Sequence, residues 1–195
     1  YKEIVPKAVD EYLDNIEKSK KQTEQQLIMN PVWHVHNGKI PSEEMIMTFS
    51  MLLNLVETSN ADNKDLLWKF VKKYKSDIQE ENFPIFDGLV AYAIKYFNDV
   101  IKSQKKYKIP NEIEKEALKA LVKTLEKCND GMSPEDIQTL IYSAGKENGY
   151  ADKLRDWFKL IYEVVFGDEN GPRMGFFISF FGVNETKELI TSKLK

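Results

Sequence analysis

The chain has 195 residues, a net charge of −3, 42% hydrophobic and 30% charged residues. That is enough for one large domain or two small ones, with the balance of an ordinary soluble globular protein. No apolar run approaches the ~20 residues needed to span a bilayer; the longest, Phe176 to Phe181, is broken by Ser179. The single cysteine, Cys128, cannot close an internal disulfide, which fits a reducing cytosol. One Cys and two His are also too few for a four-ligand structural zinc site. The acidic balance argues against a dedicated nucleic-acid module, which is usually basic. No secretory signal opens the chain, and it starts at Tyr1 instead of Met. We therefore expect a piece of a longer polypeptide.

The first element is an amphipathic helix with Ile4, Val5, Ala8, Val9, Tyr12, Leu13 and Ile16 at three- and four-residue steps. Residues 19–41 are less regular, with Pro31, Pro41 and the turn pair Asn37-Gly38. Ser42 suits the N-cap of a helix carrying Met45, Phe49, Leu52, Leu53 and Val56, which ends at Ser59-Asn60. Asp62 or Asn63 caps the next, with Leu66, Leu67, Phe70, Val71 and Tyr74 on one face. An aromatic-rich helix is expected from Pro84 to Ser103. The basic stretch Lys105-Lys106-Tyr107-Lys108, followed by Pro110, marks a subdomain boundary.

Asn111 caps the following helix. Ser133-Pro134-Glu135-Asp136 combines an N-cap, a first-turn proline and acids at the positive end of the dipole. That helix reaches Glu147, and another runs from Ala151 to Phe166. A short one from Pro172 ends at Gly182, and Asn184 caps the last. No stretch alternates with period two. The expectation is an all-α bundle or cage of about nine helices, divided into 1–40, 41–108 and 109–195.

Catalytic chemistry is hard to assemble. No Gly-rich phosphate loop is present. His34-Val35-His36-Asn37 lacks the glycine a nucleotide-binding histidine signature needs between its histidines, and no parallel strand precedes it. The histidine pair has no evident third metal ligand, and Cys128 has no neighbouring base. No catalytic residue and no metal ligand are assigned.

Three stretches in order resemble class I lysyl-tRNA synthetases. They are Asn30-Pro31-Val32-Trp33-His34-Val35-His36-Asn37-Gly38; Phe49 to Val56 continuing through Ser59-Asn60-Ala61 and Leu67-Trp68; and Gly171-Pro172-Arg173-Met174-Gly175-Phe176-Phe177 with Gly182-Val183 and Glu185-Thr186. The resemblance implies the helical, anticodon-binding C-terminal part of such an enzyme. Residues 1–40 would close the stem-contact region, and the catalytic domain would be absent. It implies tRNA-Lys as partner, a cytoplasmic monomer, and no DNA or membrane. ATP and magnesium would belong to the absent domain, so no cofactor is expected here.

The Pro172 to Gly182 segment also resembles the C-terminal helix pair of glutamyl-tRNA synthetases, where the helix start meets the middle anticodon base. By position, Gly171, Pro172, Arg173 and Met174 would do so here. Uracil offers two carbonyl acceptors and one N–H donor, so an arginine and helix-start N–H groups suit it. Trp33, His34, His36, Asn37 and Phe177 are further candidates for tRNA contact. The Lys105–Lys108 run suits either phosphate contact or a solvated connector. The alternative reading is an α-helical protein-interaction scaffold.

Overall fold

Local capping chemistry sets most of the helix starts in the computed structural model, which describes residues 4–129 and 131–194. Among them are eleven α-helices and no strand, so the expected all-α class holds, with two more helices than the nine expected. No helix there is long and apolar enough to cross a membrane.

The first helix is α1 (Ile4–Ser19). The stretch expected to be irregular then folds into two single-turn helices, α2 (Glu24–Ile28) and α3 (Pro31–Val35). Thr23 and Gln26 form a capping box on α2, while Asn30 caps α3 ahead of Pro31. Trp33 and His34 are therefore helical. Five residues are too few for periodicity to reveal.

Ser42 does not cap a helix. Residues 39–46 run without helix, and α4 (Phe49–Ser59) begins only after Thr48, whose Oγ1 accepts from the Met51 N–H at 3.1 Å. The Glu43 side chain instead caps another element, accepting from the Ile85 and Phe86 N–H groups at 2.8 and 2.7 Å. Asn60 closes α4 in the left-handed region.

Asn63 caps α5 (Lys64–Tyr74), and α6 (Pro84–Tyr96) continues through a π-turn at 97–101 and a 3-10 turn to Gln104. Beyond Pro110 come α7 (Glu112–Leu125), capped by Asn111, and α8 (Pro134–Gly145), capped by Ser133. α9 (Leu154–Val165), α10 (Met174–Phe181) and α11 (Val183–Lys193) follow. Gly182, at φ +109°, both ends α10 and begins α11, so Asn184 lies inside the helix it was expected to cap.

The core is centred on α10. It buries Met174, Gly175, Phe177, Ile178, Phe180 and Phe181, and packs against α8, α5, α4 and α11. A helix apolar on nearly every side belongs inside a bundle. One cluster of buried residues runs from Leu13 to Ile190, on both sides of Pro110. Trp157 fills the space above Gly145 and donates its Nε1–H to the Ile141 carbonyl at 3.0 Å. Nothing polar is left orphaned: no buried side-chain N or O among the described residues lacks a hydrogen bond.

Candidate functional site

The turn that enters α10 is fixed by its neighbours. A methyl group on Gly171 would run into the Tyr162 ring. The Tyr162 hydroxyl donates to the Pro172 carbonyl at 2.9 Å. On the far side, a methyl group on Gly175 would run into the Pro134 carbonyl and the backbone of Gln138. The Gln138 Oε1 accepts the Gly175 N–H at 2.8 Å. Both glycines are thus demanded by close approach, and one of the N–H groups expected to be open at the helix start is taken.

Between these anchors Arg173 is exposed, at 59% of its side chain. The one ion pair it makes among the described residues, Nη1 to the Glu135 carboxylate at 3.5 Å, lies between two exposed groups and stabilises little. Its guanidinium is available to a ligand. Gly171 is exposed and Pro172 half-buried, but Met174 is only 1% exposed. Met174 can offer a backbone group and no side chain.

Gly171, Pro172 and Arg173 line one wall of an open cleft of about 970 Å³. α1 contributes Asp10, Leu13 and Asp14 to the same cleft, and the apolar lining includes Met47, Met51, Leu53 and Phe176. Asp10 spans from α1 to the start of α4. Its Oδ1 accepts from the Phe49 N–H at 2.6 Å, and its Oδ2 from the Ser50 Oγ–H at 2.5 Å. The α4 N-terminus is thereby capped by its own Thr48 and by a carboxylate from another helix.

Glu57 and Lys105 also line the cleft, and both are nearly buried. They form an ion pair at 2.7 Å with side-chain exposures of 3% and 9%. The Tyr107 hydroxyl donates to Glu57 at 2.6 Å, and Lys105 donates to the Phe166 carbonyl at 2.6 Å. The Lys193 ammonium lies 3.7 Å over the Tyr107 ring. Burial pushes the Glu57 carboxyl up, and Lys105 and Tyr107 only partly oppose it. Burial, with Glu57 as acceptor, raises the Tyr107 phenol.

The run 105–108, expected to meet phosphates or to be a solvated connector, is thus corrected at Lys105, while Lys106 and Tyr107 stay exposed. Lys105 is an internal strut, and Lys108 pairs with Glu114 at 2.7 Å and Glu163 at 3.6 Å.

The second group of candidates lies elsewhere: none of Trp33, His34, His36 and Asn37 lines the cleft. Trp33 is half-buried, with its ring against Gly38. The His34 Nε2 lies 2.8 Å from the Ile28 carbonyl, and the His36 Nε2 lies 2.7 Å from the Tyr12 hydroxyl. The Asn30 amide holds the segment to α1 through the Asn15 carbonyl at 2.9 Å. Asn37 is exposed at φ +48°. Phe177 is fully buried, edge-on to Phe166 with ring centroids 5.0 Å apart. It is a core residue and cannot stack on a base.

Three positioning groups were missed: Tyr162, Gln138 and the Glu57–Lys105 pair. Tyr162 meets Pro172 across ten residues and Gln138 meets Gly175 across thirty-seven. Only the glycine spacing around Pro172 hinted that something large pressed on that turn.

The chain is similar along its length to lysine–tRNA ligases. It is 40% identical over 194 residues to the enzyme of Roseobacter denitrificans, covering 100% of this chain and 36% of that protein. With the enzymes of Rickettsia bellii and Rickettsia rickettsii the identities are 37% and 38% over 194 residues, 98% of this chain and 37% of each relative. The chain thus spans little more than a third of the length of these relatives. No family model matches it, and no solved structure does.

Proposed function

We propose that this chain, whose whole length aligns with lysine–tRNA ligases, is the tRNA-binding, anticodon-reading C-terminal part of a class I enzyme of that kind. The observation that carries the reading is the 40% identity over 194 residues, on a chain whose described residues form eleven α-helices and no strand. In the complete enzyme, lysine is attached to tRNA-Lys at the expense of ATP. The chain itself binds tRNA-Lys as a cytoplasmic monomer, and ATP and magnesium belong to the remainder of the enzyme.

In this reading a base of the anticodon loop is splayed out of its stack toward the turn at Gly171–Arg173. Arg173 donates to its carbonyl edge, and the positive end of α10 faces the nearby phosphate. The acidic wall of the cleft, Asp10 and Asp14, repels the RNA backbone, so the loop enters base first. Met174 contributes through its backbone alone, and Phe177 supports α10 from the core. The segment holding Trp33, His34, His36 and Asn37 serves a separate contact with the tRNA, through its exposed His34 and Asn37.

The test is binding to a tRNA-Lys transcript beside transcripts with the second or third anticodon uridine changed, at low and moderate salt. Either change should weaken binding about tenfold or more, as loss of a charge-assisted contact implies, and Arg173→Ala should abolish the difference. Equal binding to all transcripts would remove the anticodon reading. No binding even at low salt would favour the interaction scaffold.

A further inference from the structure

The peptide that presents Arg173 is controlled by one hydroxyl. Pro172 has its φ locked by its ring, so ψ is its one soft dihedral. The Tyr162 hydroxyl, bonded to the Pro172 carbonyl at 2.9 Å, sets that ψ. No peptide bond among the described residues is cis. In a planar trans peptide the C=O and the following N–H point in opposite directions. Drawing the Pro172 carbonyl onto α9 therefore turns the Arg173 N–H away from α9. It also fixes the direction in which the Arg173 side chain leaves the backbone.

Tyr162 is itself well held. Phe158 and Phe166 flank it, each with a ring centroid 6.2 Å away, and its ring occupies the space that a side chain at Gly171 would need. Burial pushes the phenol up to about 12, so it remains a donor throughout the neutral range.

We propose that Tyr162 is a positioning residue for the turn: its hydroxyl sets how Arg173 meets a base, and so sets discrimination between bases more than grip on the RNA. This rests on the assignment of the turn as an anticodon reader. Tyr162→Phe keeps the ring and deletes the donor.

The experiment measures dissociation constants of the 195-residue chain for two RNA hairpins. One carries an all-uridine anticodon loop and the other has its middle uridine replaced by cytidine. The wild-type chain should prefer the first. In Tyr162→Phe that preference should fall about three- to tenfold, the range expected for one lost hydrogen bond. Affinity for the second hairpin should change less than about twofold on the same scale, and the thermal midpoint should fall by no more than the few degrees that one hydrogen bond accounts for. Gly171→Ala, which forces the turn off the ring, should lower the preference as well.

An unchanged preference in Tyr162→Phe overturns the assignment, as does an equal loss on both hairpins or a loss that follows the melting temperature. A wild-type chain without any preference overturns the anticodon reading, and this inference with it.

Discussion

On one side of the cleft, α8, α9 and α10 meet through contacts shut off from water. Gly175 lies against the Pro134 carbonyl, Trp157 covers Gly145, and Phe166 meets Phe177 edge-on. On the other side, α1 is tied to the 30–50 segment by polar bonds near the surface. Asp10 holds the start of α4, Glu17 accepts the Met45 N–H at 3.1 Å, and Tyr12 meets His36. Close packing gives one discrete arrangement, whereas polar bonds at the surface exchange readily with water. The turn carrying Arg173 is built on the packed side. A recognition group gains most from a rigid support, because ordering it on binding then costs little.

The largest expected effect is at Glu57, where the two sides join. Glu57→Leu leaves the Lys105 ammonium buried with only the Phe166 carbonyl, and should cost about 3–5 kcal/mol of unfolding free energy. Adding Lys105→Met should recover most of that loss, since two buried charges are expensive to desolvate in the first place. Denaturant titration of both variants decides the matter. Equal losses in the single and double variants would mean that the pair itself, not its desolvation balance, holds α4 to the connector.

Gly175→Ala comes next. The added methyl meets backbone on α8, which cannot swing aside as a long side chain would. Overpacking of this kind should cost about 3 kcal/mol and push α10 off α8, taking the Gln138 bond with it. A thermal melt reads the first effect, and amide exchange at Gly175 the second. A loss well under 1 kcal/mol would show that the packed side is softer than its contacts imply.

Helix starts were the most legible part of the sequence. Asn63, Asn111 and Ser133 cap the helices they were expected to cap, because a cap depends on residues three apart. Ser42 misled for the opposite reason. Its neighbour Glu43 is used forty-two residues away, and 41–46 run without helix. α2 and α3 carried readable caps but only five residues each, too short for periodicity. The turn around Gly171 was legible through its glycines and proline, whereas its supports were not. Tyr162, Gln138 and the Glu57 partner of Lys105 are ordinary residues until the fold brings them together. Burial decides the rest: Phe177 and Arg173 lie four apart, and only α10's place in the core separates an anchor from a contact.

The smallest expected effect sharpens the comparison through pH, using Glu17 from the polar side and Glu57 from the buried junction. At Glu17, burial raises the carboxyl, but Lys20 and the Met45 N–H outweigh it, so its folded pKa lies below the ordinary value. A lowered acid contributes stability that is present above its unfolded pKa and lost as pH falls through the folded one. Glu57 has a raised folded pKa. Its contribution is fullest below the unfolded pKa and is lost as pH rises through the folded one. Relative to wild type, Glu17→Gln should therefore lose ground as pH rises through the carboxylate range, and Glu57→Gln should gain it. Glu17 is partly exposed, so its effect should be only about 0.5 kcal/mol or less. Urea titrations of the three proteins at a series of pH values between acid and neutral would reveal the two trends. If both variants drift the same way, the buried pair behaves like a surface one, and the junction at Glu57 does not differ in its electrostatics from the polar side as its burial requires.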